Sequence, residues 1–212
     1  MNKKPDSLIF DMDGTLWDAA DTYVKSWNAG FVKENVDKII SRKDLDSLMG
    51  LERRKVLEQV LPDFSIQRQD QIFKTIDKVR EKLIPELGGI LYEGVKEGLS
   101  KLANKYKLFI VSNCPENLIK QFMTWAEISH LITDEIAHGV NSKPKNYNIS
   151  LLMEKHHLIN PVYIGDTETD SKESNLAGLP FVFMSYGFGQ SGVFDLSFND
   201  FKSCTDYFMN LD

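Results

Sequence analysis

Short apolar runs alternate with helical patterns through most of the second half of the chain. The runs at residues 107–111, 162–164 and 181–184 are typical of buried strands, and amphipathic stretches separate them. One further apolar run lies at residues 7–10. Because strands that alternate with helices favour a parallel sheet covered on both faces, the pattern predicts an α/β fold with a three-layer α/β/α core.

Residues 17–92 follow a different pattern. Apolar side chains recur there at spacings of three and four residues, charged side chains occupy the opposite face, and no convincing buried strand interrupts them. We therefore assign residues 1–16 and 93–212 to the core and residues 17–92 to an all-helical insert. The end of the insert is rich in proline and glycine, which is typical of a hinge. We expect the insert to form a lid.

The composition narrows the class of protein. The 212 residues are 42% hydrophobic and 26% charged, as in soluble globular proteins. A net charge of −6 argues against a general nucleic-acid binder, although it allows one small anionic substrate. Two cysteines, Cys114 and Cys204, fit a reducing cytosol. We find no apolar run long enough for a membrane span or a signal peptide, so we expect a cytoplasmic protein, of undetermined oligomeric state.

Two carboxylates follow the first strand, in the sequence LIFDMDGTLWD. Side chains two residues apart in an extended segment point the same way, so Asp11 and Asp13 can face one site. In open α/β sheets ligands bind at this edge, and Gly14 allows a sharp turn there. A calcium-binding EF-hand does not fit, because its glycine comes sixth and Gly14 comes fourth. A plain acidic turn remains possible on this evidence alone.

A second acidic group, YIGDTETD, follows the strand at residues 162–164. It places Asp166 and Asp170 after an apolar run, as Asp11 is placed after the first strand. Carboxylates from two neighbouring strand ends can hold Mg²⁺, which prefers oxygen ligands and keeps several waters. A solvated acidic loop is the alternative.

A serine and a lysine are further candidates. Ser112 follows the strand at residues 107–111. Its hydroxyl, together with the backbone N–H groups of Asn113 and the residues after it, could bind an anion. Lys143 precedes Pro144, which favours an extended conformation, and a lysine there could offset the charge of the aspartates. Taken singly, a strand-end serine is usually structural and a loop lysine is usually solvated.

The order of these groups resembles that of the haloacid dehalogenase-like hydrolase superfamily. FDMDGTLWD, the serine, SKP and GDTETD occur in the superfamily's order, and the resemblance covers nearly the whole chain. It implies a Rossmann-like core, and the helical insert is similar to the C1 cap of phosphoglycolate-phosphatase-like members. One departure is Asn146, which replaces the second proline of a common KPxP pattern. Lys145 is therefore a rival for Lys143, although Lys143 keeps the position before proline.

The resemblance also implies the roles of the catalytic residues. Asp11 would be the nucleophile that forms an aspartyl-phosphate, and Asp13 the general acid and base. Ser112 and Asn113 would bind the phosphoryl group, and Lys143 would neutralise Asp11 and the phosphate.

The metal site is implied in the same way. Mg²⁺ would be bound by Asp11, Asp166 and the backbone carbonyl of Asp13, with Asp170 in support. The dehalogenases of the superfamily lack an acid two residues after the nucleophile, so the presence of Asp13 favours phosphate esters as substrates. We therefore predict a Mg²⁺-dependent phosphatase acting on a small phosphorylated metabolite. A phosphomutase resembling β-phosphoglucomutase and a non-catalytic binding or regulatory protein are the alternatives.

Three weaker signals remain. Arg53 and Arg54, in LMGLERRK, could bind a second anionic group of the substrate, or could belong to a solvated helix face. Residues 187–192, GFGQSG, match a nucleotide-binding pattern literally, but no βαβ unit fits after them, so we expect a loop near the rim of the site. Cys114 is interpreted as a small buried residue.

Overall fold

The computed structural model describes residues 4–211 and contains one six-stranded sheet. The strands lie in the order β5-β4-β1-β6-β7-β8, and every neighbouring pair is parallel. A separate antiparallel pair joins β2 to β3. The strands are β1 (Ser7–Phe10), β2 (Trp17–Asp18), β3 (Ile90–Leu91), β4 (Lys107–Ser112), β5 (Asp134–Ala137), β6 (Pro161–Gly165), β7 (Phe181–Met184) and β8 (Leu196–Phe198).

Alternate side chains of the central strands pack into two separate apolar cores. Leu8 and Phe10 of β1 belong to one cluster, whereas Ile9 belongs to the other. Both faces of the sheet are therefore covered, which explains why these strands read as continuous apolar runs. The predicted α/β fold with a three-layer core is confirmed. The edge strands β5 and β8 were not predicted, because they are only partly buried and carry polar residues.

Helices form both outer layers and the stretch between β2 and β3. Four helices, α1 to α4, lie in that stretch, at the position predicted for the insert. The boundaries at residues 17 and 92 stay a prediction, which the β2–β3 pair at the two ends supports. The helices are α1 (Ala20–Lys33), α2 (Arg42–Asp46), α3 (Arg53–Val60), α4 (Ile66–Leu87), α5 (Val95–Leu102), α6 (Leu118–Trp125), α7 (His138–Asn141), α8 (Lys145–His156), α9 (Glu168–Leu176) and α10 (Phe201–Asn210).

The helices α1 and α4 approach each other closely. A Cβ atom added to Gly30 of α1 would lie 2.4 Å from Cγ1 of Ile76 in α4, so only glycine fits at this contact. Among residues 4–211, none of the helices combines the length and the apolar character needed to cross a membrane.

Candidate active site

The carboxyl ends of three adjacent strands bring the predicted residues together. β1 lies between β4 and β6; Ser112 is the last residue of β4, and Asp11 and Asp166 directly follow β1 and β6. The backbone N–H of Asp11 donates to the carbonyl oxygen of Ile164, at 2.8 Å, which continues the ladder beyond β1. All three side chains are buried. The parallel sheet therefore gathers residues that lie far apart in the chain.

A tight turn after β1 packs closely against Asp166, in the second acidic group. Gly14 has φ +82°, a left-handed conformation that glycine adopts without strain. A Cβ atom added there would lie 2.1 Å from Oδ2 of Asp166. The hydroxyl of Thr15 donates to Oδ1 of Asp166 at 3.2 Å. The turn thus ties the segment that carries Asp13 to the end of β6.

The lysine beside Asp11 is Lys145, and the prediction of Lys143 at this place is corrected. Lys145 Nζ lies 3.1 Å from Oδ1 of Asp11 and 2.5 Å from Oδ1 of Asp170, and its side chain is fully buried. Lys143 is exposed, with Nζ 5.8 Å from the centre of the Tyr147 ring.

The physical reason for the correction is the start of α8. Pro144 caps this helix, and Lys145 is its first helical residue, which turns its side chain into the core. Lys143 lies in the short irregular segment before the cap, and its side chain faces solvent. Burial opposes the charge of Lys145, yet Asp11 and Asp170 outweigh burial and hold the pKa of its ammonium group well above the usual value.

Three buried carboxylates form an incompletely neutralised cluster. Oxygen atoms of Asp11, Asp166 and Asp170 lie within 4.8 Å of one another. Burial, followed by repulsion from neighbouring aspartates, raises the pKa of Asp166 well above its usual value. Burial also raises the pKa of Asp11 to about 6, although the attraction of Lys145 opposes this. Within the described residues, Oδ1 of Asp11 makes no hydrogen bond. Such hard oxygen donors, with one lysine against three acids, fit a divalent cation such as Mg²⁺.

Asp170 contributes mainly by holding its neighbours. Its Oδ1 accepts from Lys145, and its Oδ2 accepts from the backbone N–H groups of Asp166 and Thr167 and from the Thr167 hydroxyl. The bond from the Thr167 N–H, together with the bond that the Asp170 N–H donates to the Thr167 hydroxyl, forms the capping box of α9. Both oxygens of Asp170 are therefore engaged by the protein, and its predicted supporting role at a metal site stays a prediction.

Asp13 is linked to the helical stretch. The hydroxyl of Tyr23, in α1, donates to Oδ1 of Asp13 at 2.8 Å. Burial raises the pKa of Asp13 to about 7, and the Tyr23 hydrogen bond works against this increase. A carboxyl group that titrates near neutral pH can both donate and accept a proton. Tyr23 was not predicted, because a tyrosine on an apolar helix stripe is ordinarily a core residue.

A cavity of about 430 Å³ opens between these groups and the helices α1, α3 and α4. Asp11, Asp13, Ser112 and Asn113 line its sheet side, and the Asn113 amide donates to the Gly50 carbonyl across the cavity at 3.0 Å. The predicted binding of a phosphoryl group by Ser112 and Asn113 stays a prediction.

The two arginines of α3 differ in position. Arg53 lines the cavity. Arg54 does not line it: its guanidinium binds Asp70 at 2.7 Å and Gln69 at 3.0 Å, while the Arg53 guanidinium lies 3.7 Å from the same Asp70 carboxylate. The structure therefore offers Arg53, and not Arg54, to a substrate.

Arg80 also lines the cavity and was missed. Its side chain is only 8% exposed, pairs with Asp77 at 2.8 Å and lies 5.4 Å from the centre of the Tyr23 ring. A signal was available: Arg80 follows Phe73 and Ile76 at helical spacing, on a stripe that is otherwise apolar. Cys114 is buried, as expected, and burial raises the pKa of its thiol well above the usual value.

A family model for the haloacid dehalogenase-like hydrolases matches residues 8–184. The chain belongs to this family. It is 28% identical to a phosphoglycolate phosphatase of Psychrobacter arcticus, over 95% of each protein. It is 23% identical to that of Aliivibrio fischeri, over 85% of this chain and 84% of the relative.

Two solved structures share the fold. A haloacid dehalogenase-like family hydrolase from Streptococcus pneumoniae superposes with a TM-score of 0.84 at 19% identity, covering 97% of this chain and 99% of that one. CbbY from Rhodobacter sphaeroides, solved with phosphate, gives a TM-score of 0.81 at 14% identity, covering 93% and 95%. The family and the names of the relatives confirm the predicted enzyme class, a hydrolase of phosphoric monoesters.

Proposed function

We propose that this haloacid dehalogenase-like phosphatase hydrolyses a small phosphorylated metabolite through an aspartyl-phosphate on Asp11. The observation that carries the proposal is the surroundings of Asp11. Its buried carboxylate lies 3.1 Å from the Lys145 ammonium, at the floor of a cavity that Ser112 and Asp13 also line. A nucleophile and a proton donor therefore face the same space, and a buried positive charge lies beside the nucleophile, as phosphoryl transfer requires.

The first half-reaction transfers the phosphoryl group to the enzyme. A carboxylate oxygen of Asp11 bonds to phosphorus while the bond from phosphorus to the leaving oxygen breaks. Asp13 donates its proton to that oxygen, which leaves as an alcohol. The pKa of Asp13, about 7, makes its protonated form available near neutral pH.

The second half-reaction regenerates the enzyme. Asp13, now a carboxylate, takes a proton from a water molecule that attacks the phosphorus. The bond between phosphorus and the Asp11 oxygen breaks, and inorganic phosphate leaves. Tyr23 keeps Asp13 in place during both steps through the 2.8 Å hydrogen bond.

Charge neutralisation makes both steps possible. Lys145 offsets the charge of Asp11, while Ser112 and the backbone that follows it bind the phosphoryl oxygens. Asp11, Asp166 and the carbonyl of Asp13 would hold Mg²⁺, which stabilises negative charge on the transferring group when it is bound.

The helical stretch of residues 17–92 acts as the cap of this site. Two contacts support this role: the Asn113 amide binds Gly50, and Tyr23 binds Asp13. Phosphoglycolate is the first candidate substrate, because the curated relatives bear that name. Its carboxylate would meet Arg53, which lines the cavity on the cap side.

Release of inorganic phosphate from a panel of phosphorylated metabolites, with and without Mg²⁺, tests the proposal. We expect Mg²⁺-dependent release, with phosphoglycolate among the best substrates, and no release by Asp11→Asn. An Asp11→Asn variant with full turnover would contradict the assigned nucleophile. Isomerisation of a sugar 1-phosphate without release of phosphate would indicate a phosphomutase, and inactivity on the whole panel would favour a binding protein.

A further inference from the structure

The loop that follows β7 has no part in the reaction above, yet it contacts Asp166. The backbone N–H groups of Phe188 and Gly189 donate to Oδ2 of Asp166, at 2.8 and 3.4 Å. This is the glycine-rich segment whose pattern resembles a nucleotide-binding loop. Its amides are directed to a carboxylate of the protein instead.

The fit between this loop and Asp166 is tight. A Cβ atom added to Gly187 would lie 2.3 Å from Cβ and 2.4 Å from Oδ2 of Asp166. It would also lie 2.5 Å from the carbonyl oxygen of Gly14. Real Cβ atoms almost never approach other atoms within 3.0 Å, so any side chain at Gly187 must displace the carboxylate or the turn.

The loop is also tied to the turn on the other side of Asp166. The Tyr186 hydroxyl donates to the Thr15 carbonyl oxygen at 2.6 Å, and the Thr15 hydroxyl donates to Oδ1 of Asp166. Asp166 is completely buried between them. These contacts hold the Asp166 carboxylate in one position and restrict its rotation about the Cβ–Cγ bond.

We propose that residues 186–189 form a positioning loop that aligns the Asp166 carboxylate for the divalent cation. The amides occupy Oδ2 and the Thr15 hydroxyl takes one lone pair of Oδ1, so the other lone pair of Oδ1 is left for the metal. Partners that orient a metal ligand typically contribute about 10- to 100-fold to metal affinity. The inference rests on the proposed metal site, but it concerns binding and not turnover.

Two matched substitutions in the same loop test the proposal. In Gly187→Ala the added methyl group meets Asp166, whereas in Gly192→Ala it meets no atom within 4 Å. We expect titration calorimetry with Mg²⁺ alone to show a dissociation constant about 10- to 100-fold higher for Gly187→Ala. The constant for Gly192→Ala should equal that of the wild type. A folded Gly187→Ala protein with the wild-type constant would overturn the proposal.

A second variant decides the matter if Gly187→Ala does not fold. Tyr186→Phe removes only the hydroxyl that anchors the loop to Thr15. We expect a severalfold weaker affinity for Mg²⁺ and a higher Mg²⁺ concentration for half-maximal activity, with kcat restored at saturating Mg²⁺. Wild-type Mg²⁺ affinity in Tyr186→Phe would then overturn the positioning role. A wild-type protein that binds Mg²⁺ but releases no phosphate would instead contradict the proposed function alone.

Discussion

The charge of Lys145 is buried between two carboxylates, and this makes its removal costly. Lys145→Ala leaves Asp11 and Asp170 without their counter-charge, so we expect kcat to fall about 100- to 1,000-fold. Breaking a buried ion pair also lowers the free energy of unfolding, by about 3–5 kcal/mol. Phosphate-release kinetics and urea denaturation measure the two effects.

Lys143→Ala is the matched control, two residues away and exposed. It should keep nearly wild-type values of both quantities. The reverse result, with activity lost in Lys143→Ala and kept in Lys145→Ala, would show that the buried lysine has no catalytic part.

Proton transfer by Asp13 should be visible in the pH dependence of the rate. The pKa of Asp13 is about 7, and only the protonated form can donate to the leaving oxygen. For an alkyl phosphate, kcat should therefore fall as the pH rises above about 7. For p-nitrophenyl phosphate the fall should be shallower, because nitrophenolate leaves without a proton. Identical profiles for the two substrates would contradict this role.

The Tyr23 hydroxyl should influence the pH at which kcat begins to fall, that is, the alkaline limb of the pH profile. Its hydrogen bond stabilises the ionised carboxylate and so lowers the pKa of Asp13. Tyr23→Phe removes the donor, and the pKa of Asp13 should rise. The alkaline limb with the alkyl phosphate should then move to higher pH. A limb that moves to lower pH would mean that Tyr23 stabilises the protonated acid.

Single residues also show what the sequence could and could not predict. The structure brings Asp11, Ser112 and Asp166 to one edge of the sheet, as expected, because each lies at or directly after the end of a strand, and strand ends are local features of the sequence. The choice between Lys143 and Lys145 was not local. It depends on which residue begins α8, and an error of two residues there exchanges a buried position for an exposed one. For Arg80 the sequence held a signal, its place on an apolar helix stripe, but only the packing of α4 shows that this stripe borders the cavity.

At the scale of elements, the contact between α1 and α4 limits substitution. In an exposed helix, glycine to alanine usually stabilises a protein by about 0.5–1 kcal/mol. Gly30→Ala should do the opposite, since its methyl group would lie 2.4 Å from Ile76 Cγ1. Overpacking costs about 1–3 kcal/mol, so we expect the free energy of unfolding, measured by urea denaturation, to fall by about 0–2.5 kcal/mol. A stabilised Gly30→Ala protein would show that the two helices separate easily.

The central strands and the edge strands differed in how well they could be predicted. Helices cover both faces of β1, β4, β6 and β7. Because their side chains are buried on both faces, these strands are visible in the sequence as apolar runs. β8 is partly exposed and ends at Phe198, and its sequence does not stand apart from that of a loop. The order of the strands in the sheet follows from packing between distant segments, which no local pattern records.

For the whole molecule, the buried acidic cluster that we propose as the metal site should lower the stability of the folded protein when no metal is bound. The folded state raises the pKa of Asp11 to about 6 and that of Asp166 well above its usual value, whereas the unfolded chain releases these protons near pH 3.8. The folded state therefore binds more protons across that interval. Without metal, the contribution of the cluster to the free energy of unfolding should fall as the pH rises from about 4 to about 6 and beyond.

Mg²⁺ should reverse this loss, and Asp166→Asn should separate the two effects. At 100 times its dissociation constant, Mg²⁺ stabilises the folded state by about 2.7 kcal/mol, which corresponds to a rise in melting temperature of roughly 5–10 °C. Asp166→Asn removes one repelling charge, so the metal-free variant should melt above the metal-free wild type at pH 7. Its melting temperature should no longer respond to Mg²⁺. If Asp166→Asn destabilises the metal-free protein at this pH, then hydrogen bonds to the loop, and not charge repulsion, dominate the energetics of the cluster.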